Sequence, residues 1–367
     1  DPVRLLPLCA GFFSLGAWLG IYYFRRVQDK GEDGELAAGM MVPVSNVLAF
    51  LLGPAALTQP VWVPVGMTAA SVLFLTSREK LHRFAQAIEI SELVTAGKFL
   101  VLTGLVLPLL PDTAVTTLTP ITPRQAWLAL VAVSAISYSS YLLQRFVLRR
   151  GATLLIAVLG GLYSSTATAI SLARAARLDA ATAAEAQAGI VLSTAVMYLR
   201  ILAIVAAFNL TLAGAIAPTM LALAGAGAAF GLAWHLVHHD KGDKTLSHPA
   251  PENPLALSTG LAFALTFVAV SIAVAWTRSH LGDQGLYGLA AVVGVADVDP
   301  FVLNLAQNKS PQSIDAAASA ILIAASSNNF LKAGYAVFSA GWRTGKVPAA
   351  ALAALGAAGL VTALWII

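Results

Sequence analysis

The chain has 367 residues, 58% of them hydrophobic and 11% charged, with a formal net charge of +4 and a mean hydropathy of +0.78. A soluble domain carries roughly a quarter charged residues, so this composition belongs in a bilayer, and basic residues confined to short loops exclude a nucleic-acid-binding stripe. The single cysteine, Cys9, excludes an intrachain disulfide and a thiolate metal cluster.

A span needs about 20 mostly apolar residues. By that rule the candidates fall at 5–24, 36–57, 60–76, 94–111, 126–148, 151–176, 183–208, 210–237, 255–277, 285–306, 313–340 and 347–367. The first shows no signal-peptide cleavage site and is long enough to remain as a span. The chain begins at Asp1 rather than Met, which leads us to expect residues upstream. None of these runs alternates as a strand does, so all are expected to be helical. Asn46 beside Pro43 marks a kink in the second span, and Lys98 is placed to snorkel from the fourth. Two candidates are interrupted. Segment 151–176 reads "GATLLIAVLGG", "LYSST", "ATAISLARAA", and segment 285–306 reads "GLYGLAAVVG", "VADVDP", "FVLNLA". Each is a pair of short apolar pieces around a polar break marked by Gly or Pro. The expected fold is therefore an all-α polytopic membrane protein with about ten full transmembrane helices and two broken or re-entrant hairpins.

The interrupted segments align with each other. With Gly294 opposite Gly161, Asp297 and Asp299 fall opposite Ser164 and Thr166, and Leu305-Ala306 opposite Leu172-Ala173. The following helices align after a one-residue slip, so that Arg200 meets Lys332 and Thr194 meets Ser326. The implied organisation is an N-terminal helical region at 1–89, a connecting span at 90–124, and repeats at 125–256 and 257–367. Paired interrupted helices in two halves point to a transporter's binding site. Cytoplasmic loops are rich in Lys and Arg. If both broken segments are re-entrant, Arg25, Arg26, Lys30, Arg78, Lys80, Arg83, Arg145, Arg149, Arg150, Arg174, Arg177, Lys241, Lys244, Arg343 and Lys346 share the cytoplasmic side. Only Arg124, Arg278 and Lys309 among the later loop residues then face outward. If both segments cross fully, Arg174, Arg177, Lys241 and Lys244 move outside and the bias weakens. The charge pattern favours inverted repeats.

Two hairpins dipping to mid-membrane would bring "YSST" and "ADVDP" together. An ionised carboxylate there is costly unless paired or facing a wet cavity. The helix after each hairpin supplies polar groups: Ser193, Thr194 and Arg200 in one half, and Ser326, Ser327, Asn328, Asn329 and Lys332 in the other. Three readings compete. Asp297 and Asp299, with Asn328, Asn329, Asn304 and the Ser164–Thr166 hydroxyls, coordinate a hard cation, since such oxygens suit Mg²⁺, Mn²⁺ or Ca²⁺. Alternatively the aspartates are a proton or Na⁺ coupling site, and the Arg200 side binds another, anionic solute. In the third reading they only pair with Lys332 and Arg200 and hold the hairpins in place.

Weaker signals lie elsewhere. "SYSSY" at 137–141 faces a cavity or packs helices through its hydroxyls. His235, His238 and His239, near Asp240, Asp243 and His248, have zinc-compatible spacing but read better as a juxtamembrane loop. No nucleophile elbow, phosphate loop or HExxH motif is present, so nothing supports an enzyme.

Residues 90–112, 160–177, 188–209, 296–306 and 326–336 ("SSNNFLKAGYA") resemble bacterial MgtC/SapB-type membrane proteins that carry the C-terminal domain of unknown function 4010. The resemblance is strong over about 90–367. Residues 1–89 are similar to the later part of an MgtC-type domain, ending in "SREKLHRFAQ"; its Gly-rich opening helix is absent, and only "VRLL" stands where an Arg-Thr-Phe motif is expected. The resemblance implies a magnesium-linked inner-membrane protein, either a carrier or a regulator.

The expectation is then a multi-pass inner-membrane transporter of a divalent cation (Mg²⁺, Mn²⁺ or Zn²⁺). The ion is held by Asp297, Asp299, Asn304, Ser326, Asn328, Asn329, Ser164, Ser165, Thr166 and Thr194, with Arg200 and Lys332 gating or neutralising the empty site. No cofactor is expected beyond a bound divalent cation or Na⁺, and no nucleic acid. Small-residue runs such as "LAGAGAAFGLAW" pack helices within one chain or between two in a homodimer. The alternatives are a Na⁺- or H⁺-coupled carrier of a small anionic solute, and a non-transporting regulatory protein.

Overall fold

A computed structural model describes residues 2–28, 41–76, 90–147, 153–178, 182–238, 257–308 and 313–366. Lys30, Arg78, Lys80, Arg83, Arg149, Arg150, Lys241, Lys244, Lys309, His239, Asp240, Asp243 and His248 lie outside the described residues. Among those described, all regular structure is helical. In order the helices are α1 (Pro2–Gln28), α2 (Met41–Thr58), α3 (Trp62–Thr76), α4 (Ile90–Leu100), α5 (Pro123–Val147), α6 (Thr153–Leu178), α7 (Ala183–Phe208), α8 (Leu210–His238), α9 (Leu257–Ala296), α10 (Val298–Gln307), α11 (Ile314–Ala340) and α12 (Trp342–Ile366). Seven among the described residues are long and apolar enough to cross a membrane, and 45–58, 62–73 and 94–109 are shorter apolar helices. The chain is a multi-pass membrane protein. Hydrocarbon leaves each backbone amide only its own helix as partner, which is why apolar runs of this length fold as they do.

The chain divides into two compact units, 1–94 and 95–367. Within the first, α1 packs on α2 where Gly11 faces the Phe50 ring, beside the Phe12–Phe50 ring pair.

In the second unit α7 and α11 are central. About two-thirds of their most apolar stretches is buried, 67% and 72%, against 28–33% for the other five spans. Helix α11 is sharply bounded. The Ser313 hydroxyl accepts from the Ala316 amide at 3.0 Å, Asp315 sits in the first turn, and Gly341 ends it at φ 78°. The chain then reverses into α12, where a Cβ on Gly345 would lie 2.7 Å from Val337 Cα.

Polar contacts mark the two ends of this unit. At one end, Gln125 of α5 donates to Gln307 O of α10 at 3.4 Å, and a cavity joins Arg124, Phe208, Asn209 and Gln307. At the other end, Gln187 of α7 donates to Thr344 O of α12 at 2.8 Å and accepts from the Trp234 indole of α8 at 2.9 Å.

Both interrupted segments turn back. Helix α6 breaks at Ser164 (φ −159°, ψ 103°). A Cβ on Gly160 would lie 3.4 Å from Thr168 Cβ, and one on Gly189 would lie 2.9 Å from Leu172 Cδ1 and 3.0 Å from Ala157 Cβ. A straight helix would hold residues 157 and 172 about 22 Å apart, so α6 enters and leaves beside the start of α7. Helix α9 turns at Gly282 (φ 61°, ψ −152°), folding Gly285 back against Thr277. A second break at Asp297 (φ −146°, ψ 120°) leads into α10. Asp283 and Asn308, at the two ends of this segment, line one cavity with Arg278 and Asn304.

Candidate functional site

The breaks at Ser164 and Asp297 expose half-helix ends inside the protein, and each end needs partners for its unpaired backbone groups. The two N-termini are capped by their own break residues. Ser164 Oγ accepts from the Ala167 amide at 3.3 Å, and Asp297 Oδ1 accepts from the Asp299 amide at 3.1 Å. The two C-termini are served by the helix that follows each interrupted segment, α7 in one half and α11 in the other. Arg200 Nη1 donates to Leu162 O at 3.2 Å and to Tyr163 O at 3.1 Å. Asn328 Nδ2 donates to Gly294 O at 3.0 Å, and Ser327 Oγ to Ala291 O at 2.6 Å.

Two glycines permit this approach. A Cβ on Gly161 would lie 2.7 Å from Ser193 O, and one on Gly294 would collide with the Ala324 carbonyl. The segment before each break therefore lies on the backbone of the helix that follows.

Arg200 also joins the halves. Its Nη2 pairs with Asp299 Oδ2, and both side chains are nearly sealed, at 9% and 7% residue exposure. One guanidinium thus holds the end of one half-helix and the start of another. Asp297 is exposed and lines the cavity between the breaks. That cavity measures about 370 Å³ and is walled by Ser164, Ser165, Thr166, Arg200, Asp297, Asp299 and Asn328, with Ser134 and Ser137 of α5 and Met197 of α7 completing it.

The expected site residues therefore divide. The structure brings together Asp297, Asp299, Asn328, Ser164, Ser165, Thr166 and Arg200. It sends the others elsewhere. Asn304 lines the separate cavity with Arg278. Thr194 Oγ1 bonds back to Ile190 O at 3.4 Å. Ser326 packs toward Gly359 of α12. Asn329 donates to the Tyr198 hydroxyl and leaves its Oδ1 without a hydrogen bond. Lys332 is fully buried, with Nζ 2.9 Å from Met197 Sδ, rather than beside an aspartate. Met197, Tyr198 and Gln307 were not anticipated. Position on α7, between Thr194 and Arg200, was the available signal for the first two. Among the described residues no group of three or more His, Cys, Asp or Glu side chains is arranged to hold a metal ion.

Residues 131–340 match the family described as Domain of unknown function (DUF4010). The chain belongs to the DUF4010 family. Its matched region runs from within α5 to the end of α11 and so contains both breaks and every cavity-lining residue except Leu130. A protein of Aquifex aeolicus (strain VF5), described as uncharacterized, is 30% identical over 192 residues, which cover 51% of this chain and 82% of that protein. No solved structure matches the chain.

Proposed function

We propose that this DUF4010 protein is a membrane transporter of an inorganic cation, which binds at Asp297 in the cavity between the two helix breaks. One observation carries the reading: two interrupted helices, entering from opposite ends of the unit, meet at a polar cavity holding an exposed carboxylate. An intramembrane carboxylate facing a cavity is a mark of an ion pathway. The turn-back of α6 at one end and of residues 283–307 at the other supports inverted repeats around that point, the architecture on which alternating access operates. The same geometry supports the re-entrant pair among the expected spans.

Charge decides the valence in this arrangement. Arg200 cancels Asp299, so the three charged groups lining the cavity sum to about one negative charge, which a singly charged cation neutralises. Asn328 Oδ1 and the Ser164–Thr166 hydroxyls supply neutral oxygens. A divalent ion requires Arg200 to release Asp299 so that both carboxylates face it. The two-residue spacing of the aspartates favours that second reading, as does the MgtC/SapB-type resemblance of residues 1–89. Arg200 then acts as the gate that the ion displaces.

The test is the melting temperature of purified protein in Na⁺, K⁺, Mg²⁺, Mn²⁺, Zn²⁺ and Ca²⁺, followed by flux in proteoliposomes. A ligand of the folded state raises stability with occupancy. The expected result is a rise with a monovalent ion that Asp297→Asn abolishes. A rise with a divalent ion, lost in both Asp297→Asn and Asp299→Asn, selects the second reading. No rise with any ion, in variants that stay folded, overturns both and leaves the cavity a structural lock.

A further inference from the structure

The second unit carries its charge unevenly. At the end marked by Gln307, arginines have carboxylates beside them: Arg278 lies 3.6 Å from Asp283, and Arg124 3.9 Å from Asp112. The end marked by Gln187 and Thr344 carries Arg174 and Arg177 on α6, and Arg343 and Lys346 on α12. Among the described residues none of these four forms an ion pair. The described carboxylate at this end is Glu185, in the first turn of α7.

Two of the four cations sit in a cavity. On α6, Ile170, Arg174, Arg177 and Leu178 recur at helical spacing and share one face, and on α11 Tyr335, Phe338 and Ser339 do the same. The two faces wall a cavity of about 410 Å³, and no carboxylate lines it. Its chemistry changes along α6. Ile170 lies toward the break, and Arg177 is seven residues, about 10 Å, further out. Arg174 and Arg177 are exposed, and so are Leu178 and Phe338, at 89% and 85%. Apolar side chains that bare, at the end of a membrane-length helix, meet lipid, so the cavity opens sideways to the bilayer. A fitting ligand needs several acceptor oxygens for two guanidiniums and two hydroxyls, joined to an apolar part. A phosphate diester carrying acyl chains has both.

We propose that this cavity binds the headgroup of an anionic phospholipid. Arg174 and Arg177 hold the phosphate, Tyr335 and Ser339 donate to its oxygens, and an acyl chain lies along Leu178 and Phe338. Arginine grips a phosphate through parallel N–H donors, where lysine offers a point charge. Basic pockets between helices on the cytoplasmic side take acidic headgroups, and the excess of Arg and Lys at this end is the cytoplasmic signature. A free phosphate would use the arginines and leave the apolar wall unserved. The site stands apart from the central cavity and from whatever that cavity carries.

The test is native mass spectrometry of the full chain released from mixed micelles holding phosphatidylglycerol and phosphatidylcholine in equal amounts. Each basic side chain near an anionic lipid is worth about fivefold in occupancy. Phosphatidylglycerol is therefore expected to be retained over phosphatidylcholine by about tenfold or more. Arg174→Gln/Arg177→Gln should abolish that preference, and Arg174→Lys/Arg177→Lys should weaken it several-fold with the charge unchanged. Arg343→Gln/Lys346→Gln removes the same charge from the same end, outside the cavity, and should leave the preference intact. Equal losses in the two Gln pairs would show diffuse surface attraction and overturn the site. Equal retention of both lipids by the wild type overturns it outright. Inorganic phosphate is the remaining arm: if at millimolar concentration it displaces phosphatidylglycerol, the ligand is a soluble anion and the lipid assignment falls. The exposed arginines carry no described fold contact, so melting temperatures in phosphatidylcholine micelles should match the wild type in every variant.

Discussion

Arg200 and Asp299 form a sealed ion pair between parts of the chain almost a hundred residues apart, and the same guanidinium caps the carbonyls of Leu162 and Tyr163. Breaking such a pair from one side strands a buried charge and costs about 3–5 kcal/mol, whereas replacing both partners with apolar groups costs far less. Asp299→Asn is therefore expected to lower stability by that order, and Arg200→Met/Asp299→Leu to recover only part of it, because the Leu162 and Tyr163 carbonyls lose their donor. A double-mutant cycle read by denaturant unfolding in detergent checks the coupling.

The close approach at Gly161 and Gly294 predicts a selective sensitivity. Each added Cβ would meet helix backbone, which cannot move aside as a flexible side chain can. Gly161→Ala and Gly294→Ala should each cost about 1–3 kcal/mol. Gly214 of α8 has open space around it, so Gly214→Ala should be neutral or stabilising by up to about 1 kcal/mol through helix propensity. Melting temperatures of the three variants separate the two classes.

Asn328 caps the Gly294 carbonyl and also lines the cavity. Asn328→Ala leaves a buried carbonyl unserved, at a cost of about 1–3 kcal/mol, and removes a neutral oxygen from the ion. The expected outcome is a lower melting temperature together with weaker ion stabilisation. Asn329→Ala, one residue on, should spare the ion effect, because Asn329 points to Tyr198 instead.

Lys332 has a thioether as the polar partner of a wholly buried amine. Transfer of such a group from water is unfavourable without a matching acceptor. Lys332→Met should raise the melting temperature. If transport falls while stability rises, the lysine is retained for function, and paired thermal and flux assays on this variant read both.

The two breaks were legible because an apolar helix has little reason to carry "YSST" or "ADVDP" at its middle. Their alignment in the sequence placed Ser164 opposite Asp297, and both are the residues at which the helical dihedrals fail. What the sequence could not separate was direction around a helix. Asn328 and Asn329 are neighbours in the chain but point about 100° apart, so one meets the break and the other meets Tyr198. Asn304 lies five residues beyond Asp299, about 7.5 Å along α10 and turned by about 140°, which carries it into another cavity. Ser193 and Thr194 bond back to Ile190 O, a local choice open to any hydroxyl in an apolar helix. Arg200 and Lys332 match in the alignment, yet the partner of each depends on which half-helix end lies within reach.

One residue, Gly282, joins the membrane-length stretch 257–281 to the arm that ends at Asp297. Its dihedrals, φ 61° and ψ −152°, lie in a region essentially restricted to glycine. A push on stretch 257–281 thus reaches Asp297 through a single backbone joint, with little slack to absorb it. A bulkier residue at 282 would stiffen or misalign that lever without touching the ion's ligands.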